Sequence, residues 1–435
     1  MKISLFQGIL LGVFCFAAIV GIFVFASFQG GGSSTEEIGT VVIWGALPKA
    51  PFDRALTTAR QSNTELKSVS YVHKDAEALQ SELVSAIAEG IAPDLVLISH
   101  EELFALARVI QPISPSLLAE RTFKDAFAAG SEIYLISGGS GAYGVPLLID
   151  PLVLFTNRAI LASGGIAAAP PSWEAITGLV SRVTSKNPAG NIDRALIALG
   201  TYANVSNARG ILSALFLQAG VPLSTISSVG ARRADLGTSR AEGTPPGAAV
   251  VRFYSQFADP SKVSYTWNAS LPLSQRYFAS GDLALYIGYA SEATYFRVAN
   301  PNLDFDVAPL PQLATGRSKS TYGLMYALVI PRGAANPTGA FKAAAALTDP
   351  TLNRAAAAAT SLAPAVRSAL ATPPSEAAAA TAYASALYAR GWLSPTPTDT
   401  DTIFSAMITN VISGRLTIDA ALAAAESTLS ALLQQ

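Results

Sequence analysis

Strand-like and helix-like segments alternate along residues 40–99 of this 435-residue chain. TVVIWG, LKSVSYV and LVLIS are short apolar or alternating runs typical of strands, and segments with apolar residues at helical spacing separate them. The second helical segment runs from Asp75 to Gly90, a residue type that commonly ends helices. This order predicts an α/β fold with a largely parallel sheet and helices on both faces.

The length of the chain indicates more than one core, since single cores stop growing beyond roughly 250–300 residues. The formal net charge is −1, so the sequence carries no electrostatic footprint for nucleic acid. Cys15 is the one cysteine, which excludes an intramolecular disulfide. We therefore expect two lobes that are held together by their apolar cores.

An uncharged segment extends from Ile3 to Thr35 and contains the apolar run Leu5–Phe28. Such a run of about 24 residues is long enough to span a bilayer core of roughly 30 Å. The positive residue Lys2 precedes the run, so we expect the N-terminus to stay inside and the remaining chain to lie outside. The sequence predicts a single-pass transmembrane helix within residues 1–29.

Two alternatives compete with an uncleaved membrane anchor. A signal peptide could be cleaved after Ala26, or a lipid could be attached to Cys15. The apolar run is longer than the 7–15 residues of a signal-peptide core, and the bulky residue Phe14 precedes the cysteine. These features favour the anchor, followed by a flexible glycine- and serine-rich linker over residues 30–39.

Residues 134–171 combine a predicted strand that leads into a glycine-rich turn, a Tyr-Gly-Val-Pro step, a second apolar run and a helical segment that Asn157 opens. This order resembles the inter-lobe crossing of the extracellular solute-binding proteins that serve ABC importers, a family that includes maltose-binding proteins. Further blocks resemble the same family in the same order, and together they cover most of residues 40–365. They read TVVIWG, PDLVLISHEELFALA, FASGDLALYIGYASE and YGLMYALVIPRGAANPTGAFKAAAALTDP.

The resemblance implies a two-lobed periplasmic-binding-protein fold of type II. Closure about a hinge near Asp150 and Asp306 would trap a ligand between the lobes. The implied lobes are residues 40–148 with 307–360, and residues 149–306 with 361–435.

The resemblance also implies a function. The chain would be the solute-binding component of an ABC import system, held on the extracytoplasmic side of the cell membrane, with a permease and a separate ATPase as partners. A carbohydrate is the favoured ligand, while peptides, polyols, polyamines and glycerol phosphates stay open. The alternative from another class is a ligand-sensing or adhesive surface domain with the same fold.

The sequence is poor in the residue constellations that enzymes use. Its two histidines, His73 and His100, and its single cysteine argue against a zinc site, and no Walker A or dinucleotide-binding motif is present. We therefore expect no enzymatic activity, no cofactor and no metal. A carboxylate pair for glycan cleavage is a third hypothesis, and its candidates are Asp150, Asp282, Glu292 and Asp304.

Sugar recognition needs aromatic rings that stack on apolar faces and polar side chains that bind the hydroxyl rim. In open α/β folds, ligands lie at the carboxyl ends of strands. Residues at such positions, at the crossing, or in polar turns are the predicted ligand contacts: Trp44, His100, Tyr143, Trp267, Tyr289, Glu292 and Tyr322.

Three of the predicted contacts have a structural alternative. Core packing is the alternative for Trp44 and Trp267, and a helix cap or solvated turn is the alternative for His100. Trp173 follows the N-cap candidate Ser172, so a structural role is favoured there.

Overall fold

The architecture is α/β, and one mixed sheet extends from the first lobe into the second. It is described from a computed structural model over residues 38–226, 231–238, 243–316 and 318–434. The strands are β1 (Val41–Gly45), β2 (Val69–His73), β3 (Leu95–Ser99), β4 (Ile110–Gln111), β5 (Gly144–Asn157), β6 (Ser185–Lys186), β7 (Ile192–Ile197), β8 (Leu223–Ile226), β9 (Arg232–Asp235), β10 (Leu283–Tyr289), β11 (Phe305–Pro309), β12 (Thr321–Pro331), β13 (Ala363–Pro364) and β14 (Ala389–Arg390).

Helices cover both faces of this sheet. The α-helices are α1 (Lys49–Ser62), α2 (Ala76–Glu89), α3 (His100–Leu106), α4 (Glu120–Ala126), α5 (Arg158–Ser163), α6 (Trp173–Thr177), α7 (Val180–Val183), α8 (Ala208–Gln218), α9 (Pro246–Ser255), α10 (Ser274–Ala279), α11 (Glu292–Ala299), α12 (Pro337–Leu347), α13 (Pro350–Thr360), α14 (Arg367–Leu370), α15 (Ala377–Ala386), α16 (Pro397–Ile412) and α17 (Ile418–Leu433). Short 3₁₀ helices occupy Thr64–Leu66, Ala107–Val109, Ala129–Tyr134 and Gln256–Ala258.

In the first lobe, strand β1 pairs in parallel with β2 on one side and β3 on the other. Strand β12 returns antiparallel to β3, and the first half of β5 pairs antiparallel with β12. The predicted parallel arrangement is therefore confirmed for β1 to β3. This topology places the carboxyl ends of β1 and β3 on one edge of the sheet, and helix α3 begins directly after β3.

In the second lobe, the other half of β5 pairs antiparallel with β10 on one edge and β11 on the other. Strand β7 extends the sheet by pairing in parallel with β10. Phe155 of β5 is fully buried. Its ring lies between 5.2 and 6.2 Å, centroid to centroid, from the rings of Phe278, Tyr286, Phe296 and Phe305. This aromatic cluster fills part of the second core.

The two cores meet along three connecting segments. On β5, Ile149 belongs to the first core and Leu152 to the second. On β12, Met325 lies in the first core, whereas Leu324 packs against the second. Helix α15 is the third connection, because its residues Ala382 and Tyr383 enter different cores.

Two details differ from the sequence analysis. The lobe limits differ at two places. Buried apolar residues of segment 362–370 pack in the first core, although the resemblance assigns residues 361–435 to the second lobe. Strand β11 pairs with the second half of β5, and its residues Val307 and Ala308 pack against the second core, although the resemblance assigns residues 307–360 to the first lobe. The segment before the glycine-rich turn is a 3₁₀ helix, not a strand. The hydroxyl of Tyr134 donates to the backbone carbonyls of Ile98 and Met325, which ties this helix to the edge of the sheet.

No helix in the described part of the chain is long and apolar enough to cross a membrane. The run Leu5–Phe28, which carries the predicted transmembrane helix, lies outside the described residues.

Candidate functional site between the lobes

Helix α3 starts at the carboxyl end of β3 and projects its first residues toward the second lobe. A reciprocal cap fixes this start, since the carboxylate of Glu102 accepts hydrogen bonds from the backbone N–H of Ser99 at 2.8 Å and from its hydroxyl at 3.0 Å. His100 and Glu101 follow directly and are both buried. The cap thereby positions two polar side chains at the junction of the lobes.

Glu101 binds Arg209 of the second lobe through a bidentate ion pair. The guanidinium donates from Nε to Oε1 at 3.1 Å and from Nη2 to Oε2 at 2.8 Å. Arg209 also donates to the carboxylate of Asp401, and Tyr202 donates its hydroxyl to that same carboxylate. The cluster of Glu101, Arg209, Asp401 and Tyr202 is called the junction cluster below.

Burial raises the pKa of Glu101, but the positive charge of Arg209 and the hydrogen bonds from Arg209 and Tyr322 outweigh it, so the pKa is below its usual range. Glu101 is therefore ionised at neutral pH. Its side chain is 5% exposed, against 20% for Arg209 and 44% for Asp401. Solvent thus reaches the second-lobe side of the junction cluster more than the first-lobe side.

Tyr322 and His100 form a buried hydrogen-bonded network with Glu101 of the junction cluster. The backbone N–H of Met325 donates to Nδ1 of His100 at 3.2 Å, which leaves the ring proton on Nε2. Nε2 lies 3.2 Å from the hydroxyl of Tyr322, and that hydroxyl donates to Glu101. Burial lowers the pKa of His100 to about 4, so the imidazole is neutral at neutral pH.

Glycines allow close packing around this network. A Cβ on Gly391 would lie 2.4 Å from Nε2 of His100, so the chain passes the ring at a distance that other residues cannot adopt. A Cβ on Gly210 would lie 2.9 Å from the hydroxyl of Tyr289. The partly buried Tyr289 is therefore beside helix α8, next to Arg209.

Glu292 is bonded to the loop that precedes α8 and to neighbouring groups of the second lobe. Its carboxylate accepts from the side chains of Tyr286 at 2.6 Å, Asn207 at 2.7 Å and Gln275 at 2.7 Å, and from the backbone N–H of Tyr289 at 2.8 Å. Burial raises the pKa of Glu292. The predicted ligand contact is thus engaged entirely with protein groups, and we assign it a supporting role.

Trp267 lies in the core of the second lobe, not at the junction. Its side chain is fully buried, its Nε1 donates to Asn204 at 3.2 Å, and its ring meets Tyr277 edge-on at 5.5 Å. Trp392 is also buried there, with its Nε1 donating to Ser213 and its ring stacked on Phe404.

Tyr143 and Trp44 are also placed away from the junction cluster. The register pairs Gly144 with Val329 of β12, and Val329 with Val96 near the amino end of β3, so Tyr143 lies at the opposite edge from His100. Trp44 packs on the outer side toward α2, with the ammonium of Lys74 4.0 Å above its ring centre. Strand direction explains the position of Tyr143, whereas Trp44 lies near the expected edge of the sheet but its side chain packs toward α2.

The two predicted hinge residues occupy different environments. Asp150 is buried between the cores and accepts from the backbone N–H and the hydroxyl of Ser291 at 3.1 and 2.6 Å. Asp306 is exposed on β11 and lies 3.5 Å from the guanidinium of Arg158. The crossing therefore contains Asp150, whereas Asp306 lies on the outer end of the second lobe.

Sequence reasoning missed four members of the site: Tyr202, Glu101, Arg209 and Asp401. Glu101 lay within the HEELFALA block beside His100, which was the one available signal. The other three come from distant segments that only the fold brings together. Within the described residues, no group of three or more His, Cys, Asp or Glu side chains could hold a metal ion.

Two α/β lobes with a polar cluster at their junction, supplied by both lobes, define a two-lobed binding protein. The chain belongs to the bacterial extracellular solute-binding proteins, because the model of that family matches residues 58–384. No curated protein matches the sequence.

Solved structures of sugar-binding proteins are similar to this chain. The cyclic alpha-maltosyl-1,6-maltose binding protein of Arthrobacter globiformis has a TM-score of 0.72 at 16% identity, covering 91% of this chain and 99% of that one. The GacH receptor of Streptomyces glaucescens, solved unliganded and with acarbose, has a TM-score of 0.68 at 16% identity, covering 91% and 98%. The sugar-binding protein MalE of Xanthomonas citri has a TM-score of 0.70 at 18% identity, covering 91% and 97%. At these identities the likeness establishes the two-lobed fold.

We expect Trp267→Ala to lower the free energy of unfolding by about 3–5 kcal/mol, because it empties a fully buried site. Chemical denaturation measures this loss. Trp44→Ala is the control of the same size at a partly exposed position and should cost clearly less. A loss below about 1 kcal/mol for Trp267→Ala would contradict the core assignment.

Burial raises the pKa of Asp150 from 3.8 to about 7, opposed by the hydrogen bonds from Ser291. The folded state therefore binds this proton more tightly than the unfolded state, and the resulting stability is lost as the pH rises from about 4 to about 7. Asp150→Asn stays neutral throughout. Its stability relative to the natural protein should rise over this window, by at most about 1.4 kcal/mol per pH unit. Denaturation at several pH values measures the difference, and a flat difference contradicts the shift.

Proposed function

We propose that this protein captures a carbohydrate between its two lobes and presents it to an ABC permease driven by a separate ATPase. The observation that carries the proposal is the junction cluster, where partly accessible polar and aromatic groups of one lobe meet a charged group of the other. Membership of the extracellular solute-binding family supports the binding role and an extracytoplasmic position.

The residue types at the junction suit a sugar. Tyr202 and Tyr289 are partly buried and offer ring faces for stacking, and Arg209 and Asp401 offer charged donors and acceptors for hydroxyl groups. We propose these four residues as ligand contacts. His100, Glu101 and Tyr322 are buried behind them and orient them.

The similar structures support the ligand class. One of those proteins is named as a binder of cyclic alpha-maltosyl-1,6-maltose, and the GacH receptor was solved in complex with acarbose. Capture would proceed by rotation of the lobes about the segments of β5 and β12 between the two cores. Asp150 lies within that segment of β5.

We propose binding without catalysis. The four carboxylates considered for glycan cleavage are engaged elsewhere: Asp150 with Ser291, Glu292 with Tyr286, Asp282 with Ser280, and Asp304 with Arg158. The buried neutral His100 is bonded on both ring nitrogens. These contacts favour a structural use for each group.

We also propose that the run Leu5–Phe28 anchors the protein in the membrane, with residues 30–39 as a linker to the soluble lobes. The length of the run supports this arrangement.

A thermal-shift screen of sugars and oligosaccharides, with amino acids, peptides and polyamines as the comparison set, tests the ligand class. A ligand at 100 times its dissociation constant adds roughly 2.7 kcal/mol of stability. Tyr202→Ala should then weaken binding by about ten- to a hundredfold in calorimetry, since one stacking and bonding group is lost. Trp44→Ala is the matched control and should bind as the natural protein does. Stabilisation by the comparison compounds, and by no sugar, would overturn the carbohydrate assignment.

The anchor is tested on the full chain in membranes. We expect the protein to resist extraction with carbonate and to keep its original N-terminal residues. The Cys15→Ser variant should behave in the same way, because the apolar run and not a lipid on Cys15 holds the protein in the membrane. N-terminal sequencing measures the outcome. A mature chain that starts near Ser27, or release of the Cys15→Ser protein, would contradict the anchor.

A further inference from the structure

Glu101 and Arg209 belong to different lobes. Glu101 lies in the first turn of helix α3, whose Leu103 and Leu106 pack in the first core. Arg209 lies in the first turn of helix α8, whose Ala208 and Ile211 pack in the second core. Their ion pair therefore joins the two lobes.

The two partners differ in what surrounds them inside their own lobes. Arg209 keeps Asp401 and the carbonyl oxygen of Pro397 as partners on its own side of the junction. Glu101 has, besides Arg209, the hydroxyl of Tyr322 on the crossing strand. Without Arg209, closure would bury a carboxylate with no positive partner among the contacts described here.

The exposed fractions of Glu101 and Asp401 show which of the two carboxylates depends on Arg209. Glu101 is 5% exposed when the lobes are together, so approach of the lobes removes nearly all water from its side chain. A buried charge without a partner is strongly disfavoured, whereas a buried pair is tolerated. Asp401 remains 44% exposed, so water can solvate it even when Arg209 is absent.

We propose that Arg209 is a positioning residue that allows the lobes to close in the absence of ligand, by neutralising the Glu101 carboxylate that closure buries. The inference rests on the proposed function in one respect, the rotation of two lobes about their crossing. It adds that the ligand-free equilibrium between open and closed forms is set by this pair.

The charge argument makes a distinctive prediction for paired substitutions. Arg209→Met leaves Glu101 without its partner and should shift the ligand-free protein toward the open form. The double variant Glu101→Gln with Arg209→Met removes both charges, while the glutamine oxygen can still accept from Tyr322. Closure should therefore return in the double variant, although it carries one more substitution.

The distance between the lobes, measured in the full chain, reports whether a molecule is open or closed. Spin labels on Ile91→Cys and Val263→Cys, in a Cys15→Ser background, place probes on two exposed sites, one in each lobe, 66% and 93% accessible. Electron–electron resonance on the detergent-solubilised, ligand-free protein then gives the populations of the two forms. Arg158→Met is the matched control, because Arg158 is exposed and paired with acidic residues of its own lobe.

We expect Arg209→Met to raise the ratio of open to closed molecules by at least roughly tenfold, and the double variant and Arg158→Met to match the natural distribution. An unchanged distribution in Arg209→Met, an equally open double variant, or opening in Arg158→Met would each overturn the inference. Circular dichroism confirms folding, and Arg209→Gln replaces Arg209→Met if that variant does not fold. No ligand is present, so the result stands apart from the sugar screen that tests the proposed function.

Discussion

Strand β5 is the element on which both lobes depend, because its fourteen buried residues pair with four other strands. Its first half pairs with strands of the first lobe and its second half pairs with strands of the second lobe. Proline is uncommon inside central strands because it donates no hydrogen bond. Here Pro146 lies beside an irregularity in the pairing with β12, and Pro151 lies where the partner changes from β12 to β10. The interruptions therefore coincide with places where a ladder bond is already missing.

The junction cluster follows from this architecture. The crossing strands bring the start of helix α3, at the carboxyl end of β3, against helix α8 of the second lobe. Tyr322 lies on crossing strand β12 and donates a hydrogen bond to Glu101 of α3. Charged groups at such a place serve two purposes that apolar groups cannot serve together. In the proposed function they would bind each other when the lobes meet, and they would bind water or a polar ligand when the lobes part. A junction of leucine side chains would bury apolar surface on closure but would offer no hydrogen-bond partner to a polar solute.

Much of the fold was predictable because the strands are apolar and the helix ends carry clear signals. Asn157 caps α5 by accepting from the N–H of Ile160, and Ser172 caps α6 by accepting from the N–H of Ala175. The site was less accessible to prediction. His100, Tyr289 and Tyr322 adjoin the junction cluster, but Arg209 and Asp401 are separated from Glu101 by long stretches of chain, and no local pattern links them.

Trp267 shows why a polar neighbourhood misled the sequence analysis. Its neighbour Thr266 is fully buried, and the threonine hydroxyl accepts from the backbone N–H of Leu196 at 2.8 Å. Polar residues in that turn satisfy buried backbone groups and do not mark a surface. Tyr143 illustrates a different limit, because nearness to a crossing in sequence does not say at which end of the strand a side chain lies.

Helix α15 gives the alanine-rich composition of the C-terminal region a mechanical meaning. Its sequence AAAATAYASA lies against β5, β11 and β13, and it contributes residues to both cores. Alanine side chains form low ridges and have no rotamers to reorganise. Under the proposed rotation of the lobes, this surface would have few interlocked side chains to separate. The main resistance to the rotation would then come from the two crossing strands and from the ion pair between Glu101 and Arg209.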